Sequence, residues 1–388
     1  MAIRNRFSEL LPEITAWRRD IHENPELLFE TTRTSQFVAD RLAEFGCDEI
    51  VTGIGRTGVV ALIKGRSDSK GKVVGLRADM DALPIEEATG LPYASKTPGV
   101  MHACGHDGHT AMLLGAAKYL AETRNFDGTV AVIFQPAEEG GGGGLEMCKD
   151  GMMERFGIDE VYGMHNWPGR PIGTFAIRPG PFFAATDTFE IVIEGKGGHA
   201  AKPNETVDSI VMAAQCVTTL QTIAARNADP VEQIVVSVTS FESSSKAFNV
   251  IPQSVTLRGT VRTLTPEMRA LGRDRIHDIC THTAAVFGGV AHITYIEGYP
   301  ATVNHEAETK FAAEAATKVA GECDFAPLVM GGEDFSYMLE ERPGAYILMG
   351  NGDGASVHHP EYNFNDEAIP AGCSWWVEMA ETRLGTAQ

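Results

Sequence analysis

The sequence has no long hydrophobic runs and few basic residues. No apolar stretch reaches the roughly 18 residues that a membrane-spanning helix needs, and the charged opening segment has none long enough for a signal peptide. We therefore expect a cytoplasmic protein. Only 32 Lys and Arg residues stand against 52 Asp and Glu, a formal net charge of −20. Such a charge repels nucleic acid and anionic membranes, so neither is an expected partner.

The sequence also contains no C-x-x-C motif. Its seven cysteines are odd in number and widely spaced. This pattern indicates free thiols in a reducing compartment and argues against a disulfide framework. Most of these cysteines are interpreted as small buried hydrophobic residues.

The order of apolar and amphipathic segments predicts an α/β protein of two domains, as the length of 388 residues also favours. In the first part, short runs typical of strands alternate with helical patterns, which predicts a mostly parallel sheet. Near residue 183 the pattern changes to β-α-β-β-α-β, the order of a ferredoxin-like unit. We therefore predict one discontinuous domain at 1–182 and 297–388, interrupted by an inserted domain at 183–296.

The segment MHACGHDGHT concentrates side chains that bind metals, directly before a predicted helix: His102, Cys104, His106, Asp107 and His109. A thiolate and an imidazole two residues apart can both face one metal ion. The alternative interpretation is an ordinary helix start that Asp107 or Thr110 caps. So many candidate ligands in one short glycine-containing segment favour the metal site.

Glu138 and Glu139 follow an apolar strand and precede a run of glycines. Adjacent side chains on an extended segment point to opposite sides, so one carboxylate can bind metal while the other faces the substrate as a general base. Taken alone, such a pair is more typical of a solvated turn.

Other polar side chains also follow predicted strands. Asp79 and Asp81 follow one strand and His165 ends another, while His358 and His359 lie beyond a third. Open α/β sheets place their ligand sites at such strand ends, so these residues are expected to share one site.

Together these segments resemble the aminoacylase and hippurate hydrolase type of metal-dependent amidohydrolases. That group includes indole-acetyl-amino-acid hydrolases and N-acetyldiaminopimelate deacetylases. The motifs that carry the resemblance cover nearly the whole chain: RRDIHENPE, GLRADMDALPIEE, MHACGHDGHT, FQPAEEGGGG, MHNWPG, GKGGHAAKP, GTVRT, MGGEDFSYM and HHPEYNFN.

The resemblance implies a site for two divalent metal ions, with the Cys104 thiolate bridging them and Glu138 as the general base. The implied ligands are Cys104, His106, Glu139, His165 and His359. A thiolate makes the site softer, which leaves zinc, manganese, nickel and cobalt open as the native metal. The remaining acidic and imidazole groups are expected to orient these ligands: Asp79, Asp81, His102, Asp107 and His109.

In the inserted domain the resemblance implies three further roles. His199 stabilises the oxyanion of the reaction, often across a dimer interface, and Asn249 and Arg262 hold the carboxylate or backbone of the substrate. The guanidinium fork of arginine suits a carboxylate, although a surface ion pair is an equally open interpretation of Arg262. The inserted domain is then a lid and dimerisation domain, and we expect a homodimer or a higher homo-oligomer.

The sequence therefore predicts a hydrolase that cleaves the amide bond of a small N-acyl-amino acid, hippurate-like or N-acetylated. One alternative is a dipeptidase or carboxypeptidase with the same dinuclear mechanism. Another is a non-catalytic metal or redox sensor built around Cys104. Glu138 favours an enzyme, because a sensor needs ligands but no additional carboxylate beside them.

Overall fold

The computed structural model describes residues 5–385, which form two compact units. The first unit contains the chain up to Gly180, Val303–Pro327 and the chain from Asp334 onward. The second contains Pro181–Thr302 and Leu328–Glu333. Compared with the predicted insertion at 183–296, the second unit is slightly longer at both ends and gains a short later segment.

Up to residue 183, the chain contains both helices and strands. They are α1 (Asn5–Glu23), α2 (Thr32–Phe45), β1 (Glu49–Ile54), β2 (Gly58–Lys64), β3 (Val73–Asp79), α3 (His106–Thr123), β4 (Thr129–Gln135), α4 (Gly143–Lys149), α5 (Met152–Arg155), β5 (Glu160–Trp167), β6 (Phe175–Ile177) and β7 (Gly180–Phe183).

The middle part of the chain forms the second unit. Its elements are β8 (Ala185–Glu194), β9 (Gly198–His199), α6 (Ser209–Leu220), β10 (Ile234–Ser243), β11 (Val250–Ile251), β12 (Ser254–Thr263), α7 (Pro266–Val286) and β13 (Val290–Glu297). The last part contains β14 (Thr302–Asn304), α8 (Glu306–Ala320), β15 (Asp324–Phe325), α9 (Ser336–Glu341), β16 (Gly344–Gly350) and α10 (Ile369–Leu384). Among the helices of residues 5–385, none combines the length and apolar character that crossing a bilayer would require.

The first unit contains an eight-stranded sheet in the order β1-β2-β4-β3-β5-β16-β6-β15. The pairs β3–β4, β3–β5, β5–β16 and β6–β15 are parallel, whereas β1–β2, β2–β4 and β6–β16 are antiparallel. The sheet is therefore mixed, rather than mostly parallel as predicted. Part of the reason is local: only residues 55–57 separate β1 from β2, and so short a loop can only reverse the chain.

Helix α3 is buried along most of its length because its sequence offers small and apolar side chains all round. Gly115 allows the neighbouring helices to come close: a Cβ there would lie 2.6 Å from Ile14 of α1 and 2.9 Å from Cys373 of α10. This packing fixes α3 against the first unit's core. The N-terminal end of α3, which begins at His106, thereby acquires a defined position.

The second unit is a four-stranded antiparallel sheet in the order β10-β12-β8-β13, with α6 and α7 packed on it. Strand β8 alternates buried and more exposed residues, and its buried side chains Phe189, Ile191 and Ile193 belong to the core. Asp208 caps α6 by accepting hydrogen bonds from its first N–H groups, and Thr265 caps α7, where Pro266 occupies the first turn. The elements thus follow one another as β-α-β-β-α-β.

Candidate metal centre

Three side chains from two separate segments of the sequence meet at the carboxyl-terminal ends of the central strands. Cys104 precedes α3, His106 is the first residue of α3, and His165 lies near the end of β5. The Sγ atom of Cys104 is 3.3 Å from Nε2 of His165, and one ligand atom from each of the three residues lies within 4.8 Å of the others. Ligands of one tetrahedral ion lie roughly 3–4 Å apart, so a single cation can contact all three.

The backbone orients both imidazoles of this cluster. The Nδ1–H of His106 donates to the carbonyl oxygen of Asp81 at 2.9 Å, and that of His165 donates to the carbonyl oxygen of Asn166 at 2.6 Å. Because a carbonyl oxygen can only accept, each ring in its neutral form keeps the lone pair on Nε2. Burial and the neighbouring His109 also hold the pKa of His165 well below its usual range. Both rings are therefore prepared to bind a metal through Nε2.

His109 lies close to the same cluster but is not available as a ligand. Its Nδ1–H donates to the carboxylate of Asp79 at 2.7 Å, and its Nε2 accepts the backbone N–H of Asn166 at 2.9 Å. Both ring nitrogens are thus occupied. The expectation that His109 and Asp79 orient other groups agrees with this geometry, since Asp79 Oδ2 is 3.8 Å from Nε2 of His106.

The glutamate pair occupies a turn, and not the extended segment that the sequence suggests. Strand β4 ends at Gln135, and Ala137 takes a left-handed conformation with φ of 54°. The buried carboxylate of Asp81 then accepts the backbone N–H groups of Glu138 and Glu139, each at 3.0 Å. As a result, one carboxylate oxygen of each glutamate comes within 4.8 Å of a ring nitrogen of His106.

The structure brings His358 to the cluster instead of the predicted His359. The backbone N–H of His358 donates to the carbonyl oxygen of Ala103 at 2.7 Å, and its Nε2 lies 3.3 Å from Oε1 of Glu139. His358 also forms a potential ligand group with Cys104 and Glu139. His359 belongs to no such group within residues 5–385, and its Nδ1 accepts the backbone N–H of Glu361. The backbone of His358 is left-handed, with φ of 66°, and its half-exposed ring lies towards Glu139.

Carboxylates dominate the charge around this cluster. Burial alone would lower the pKa of His106, but Asp79, Asp81 and Glu139 raise it to about 10. Burial, followed by the carboxylates of Glu139 and Glu138, raises the pKa of the Cys104 thiol. Such a concentration of buried negative charge favours a bound cation.

These residues fit a metal centre. They combine a thiol, imidazole nitrogens and carboxylate oxygens, a set that suits zinc, manganese, nickel or cobalt. In the described part of the chain, Nε2 of His106 has no hydrogen-bond partner although it is buried, an arrangement that a metal ligand explains.

A buried arginine network that the sequence did not predict lies beside the cluster. Arg77 donates to Asp79 at 2.7 Å, to Asp334 at 3.0 Å and to Gln135 at 2.9 Å. The second carboxylate oxygen of Asp334 accepts the N–H of Gly144 at 2.8 Å, which anchors the first turn of α4 after the glutamate pair. The sequence did contain a signal for this network: Arg77 is a charged residue inside the otherwise apolar strand β3.

A second buried ion cluster explains Asp107. Its carboxylate accepts hydrogen bonds from Arg18 at 3.2 Å and from the Nδ1 of His22 at 2.8 Å. Opposite charges from α1 thereby hold the first turn of α3. This contact accounts for Asp107 and His22 as structural residues and not as metal ligands.

The three candidates of the inserted domain all lie in the second unit. His199 is exposed in β9 and pairs with Val250 of β11, and Ala200 donates its N–H to the carbonyl oxygen of Asn249 at 3.0 Å. His199 therefore lies in a short two-stranded ribbon, and Asn249 lies in the turn directly before its second strand. Arg262 lies in β12, partly buried, and donates to the carbonyl oxygen of Val261 at 3.0 Å.

Comparison with known proteins identifies the family. Residues 75–382 match the peptidase family M20/M25/M40. The chain belongs to this family. It is 42% identical over 377 residues to a hippurate hydrolase from Campylobacter jejuni, covering 96% of this chain and 97% of that protein. It is 40% identical over 353 residues to thermostable carboxypeptidase 2 from Saccharolobus solfataricus, covering 90% of this chain and 88% of that protein.

A solved structure of the M20 family agrees over the whole length. A dinuclear metal-binding peptidase from Bacillus subtilis superposes with a TM-score of 0.86 and 36% identity, covering 98% of this chain and all of that one. This M20 chain is therefore a metal-dependent hydrolase of amide or peptide bonds in small molecules. The predicted resemblance to amidohydrolases and the predicted enzyme class are confirmed, which excludes a purely non-catalytic sensor.

Proposed function

We propose that this M20 protein hydrolyses the amide bond of N-acyl-amino acids of the hippurate-like or N-acetyl type. The observation that carries the proposal is a buried second carboxylate, Glu138, held beside a complete set of candidate metal ligands. A purely structural metal site is complete with its ligands and does not require a further carboxylate such as Glu138. The relative named hippurate hydrolase, at 42% identity, supports the choice of substrate class.

The proposed ligands of two divalent ions follow the predicted set with one change. They are Cys104, His106, Glu139, His165 and, in place of His359, His358. Cys104 takes part both in the group with His106 and His165 and in the group with Glu139 and His358, so its thiolate would help to hold both ions.

Two divalent ions held by these residues would polarise the amide carbonyl and lower the pKa of a water molecule enough for it to attack at neutral pH. Glu138 then accepts the proton of the attacking water on a carboxylate oxygen and delivers it to the nitrogen of the departing amino acid. The clamp of Asp81 on the two backbone N–H groups holds Glu138 in position for both transfers.

The roles of the second unit are proposed on the resemblance alone. His199 stabilises the oxyanion, and Asn249 and Arg262 hold the carboxylate of the substrate. In Arg262, partial burial lowers the pKa, yet a guanidinium remains charged at neutral pH and can bind both carboxylate oxygens. The homodimer formed by this unit remains a prediction, which sedimentation of the purified protein tests. The cytoplasmic location also remains a prediction.

The substrate class is tested with matched acids and amides. We expect wild-type protein to prefer N-benzoylglycine over its C-terminal amide, and Arg262→Ala to lose most of this preference. Loss of a hydrogen bond to a charged group costs about 1.5–3 kcal/mol, or roughly a 10- to 150-fold change in kcat/KM. Steady-state kinetics on the two substrates measure it.

Two comparisons control this experiment. Arg258→Ala removes an arginine of the same strand whose side chain pairs with Glu190 and Glu242 on the surface, and it should keep the wild-type preference. Dipeptides with a free amino group should be poor substrates of the wild-type protein. Faster cleavage of dipeptides than of acylated amino acids would favour the peptidase alternative instead.

The two adjacent histidines give a direct test of the ligand set. His358→Ala should lose metal and activity, because His358 is the ring that lies against Glu139. His359→Ala should retain both, since the His359 ring belongs to no potential ligand group of residues 5–385 and accepts the backbone N–H of Glu361. Metal content per chain, measured after gel filtration, compares the variants. Metal loss in His359→Ala alone would restore the ligand assignment made from the sequence.

A further inference from the structure

Asn166 makes more contacts with the candidate metal centre than its position next to His165 requires. Its carboxamide is fully buried. The Nδ2 group donates to the carbonyl oxygen of Cys104 at 2.7 Å and lies 3.0 Å from Nε2 of His109. The Oδ1 atom accepts the hydroxyl of Tyr362 at 2.7 Å. The backbone of Asn166 binds His165 and His109 as well.

These contacts join three separate segments that carry proposed ligands. Asn166 itself lies on β5 beside His165, its amide group holds the Cys104 segment, and Tyr362 belongs to the segment that follows His358. The partners fix the orientation of the carboxamide. The carbonyl oxygen of Cys104 can only accept, so the Nδ2 group must face it, and Oδ1 then accepts from the hydroxyl of Tyr362.

The chain leaves just enough space for this arrangement at Gly105. Its φ of 93° favours glycine, and a Cβ there would lie 2.3 Å from the hydroxyl of Tyr362 and 2.4 Å from Nδ2 of Asn166. The backbone between Cys104 and His106 is therefore packed directly on the carboxamide. Any shift of Asn166 or Tyr362 is transmitted to the two residues that flank Gly105.

We infer that Asn166 is a positioning residue for the metal centre, which aligns the Cys104, His165 and His358 segments through its carboxamide, with Tyr362 as its partner. The inference rests on the proposed ligand set. No direct contact of Asn166 with substrate or metal is involved. Its contribution is to keep the ligands at binding distance before a metal arrives, so that less ordering is required on binding.

Asn166→Asp is the most informative change because it preserves shape but replaces the Nδ2 donor by an oxygen. That oxygen faces the carbonyl oxygen of Cys104, so a hydrogen bond becomes a repulsive contact. We expect the apparent dissociation constant for cobalt(II) to rise roughly 10- to 100-fold. Tyr362→Phe removes only the hydroxyl and should raise it by about 2- to 10-fold.

The experiment titrates chelator-treated protein with cobalt(II) and follows the thiolate-to-cobalt charge-transfer band in the near ultraviolet. This band reports the bond to Cys104 and does not depend on turnover. In Asn166→Asp the band should appear at higher cobalt concentration and reach nearly its full intensity at saturation, because every ligand is still present. Tyr162→Phe is the matched control, because it removes the hydroxyl of a different buried tyrosine. Tyr162 lies on β5 near Glu160 and Arg383, and this variant should titrate like wild type.

The possible results distinguish a failure of the proposed metal site from a failure of the positioning role of Asn166. Absence of the band in wild-type protein would contradict Cys104 as a ligand and overturn both the metal-site assignment and this inference. If wild-type protein shows the band and Asn166→Asp binds cobalt with the same affinity, only the inference about Asn166 is overturned. If Asn166→Asp does not fold, Tyr362→Phe decides in its place: equal cobalt affinity to Tyr162→Phe overturns the positioning role, and selectively weakened affinity supports it.

Discussion

Replacing Glu138 by glutamine is expected to lower kcat by roughly 100- to 10,000-fold while both metal ions remain bound. Glutamine preserves the size and the hydrogen-bonding capacity of the side chain, but it cannot accept the proton of the attacking water. The backbone contact between residue 138 and Asp81 is unaffected by the change, so the turn should keep its conformation. Metal analysis and steady-state kinetics on N-benzoylglycine measure the two quantities separately.

Glu146→Gln provides the control for this result. Glu146 is a glutamate of α4 that pairs with Lys149 and is partly exposed, and its replacement should leave kcat and metal content at wild-type values. Near-normal turnover of Glu138→Gln with full metal content would show that another group accepts the proton.

For Glu139 the expected effect falls on metal binding. Glu139→Gln should lose metal, and its hydrolysis should fall to the level of wild-type protein stripped with a chelator. The reason is that the Glu139 carboxylate takes part in two candidate ligand groups, one with Cys104 and His358 and one with His106. A neutral amide is a much weaker ligand for a divalent ion than a carboxylate. Metal content after gel filtration is the direct measurement.

Restoration experiments distinguish this result from simple misfolding. Chelated wild-type protein should recover activity when zinc, manganese, nickel or cobalt is returned, whereas Glu139→Gln should recover only at much higher metal concentration. If Glu139→Gln retains its metal and Glu138→Gln loses it, the two roles are reversed. Full hydrolysis by exhaustively stripped wild-type protein would contradict a metal mechanism altogether.

The alternation of strand and helix patterns and the family resemblance could be recognised in the sequence. So could the chemical types of the ligands, because thiol, imidazole and carboxylate groups cluster in motifs such as MHACGHDGHT. Local spacing carries this information: two candidate ligands two residues apart remain close in any compact conformation of the segment. The mixed character of the first sheet was less visible, since strand direction depends on connections between strands.

Tertiary structure decided between neighbours of the same chemical type. His106 and His109 stand three residues apart in α3, yet only His106 keeps an available ring nitrogen, because Asp79 and Asn166 occupy both nitrogens of His109. His358 and His359 are adjacent, and the left-handed backbone at His358 together with its bond to Ala103 turns the first ring towards Glu139.

The sequence by itself therefore determined which kinds of atoms could bind a metal and roughly where in the chain they stand. Only the folded chain determined which lone pairs remain available, because that depends on donors and acceptors from remote segments. Asn166 illustrates the reason: it follows His165 directly, but its hydrogen bonds reach Cys104, His109 and Tyr362. Burial removes water as a competing partner, so each polar atom must be paired within the protein, and that pairing is a property of the fold.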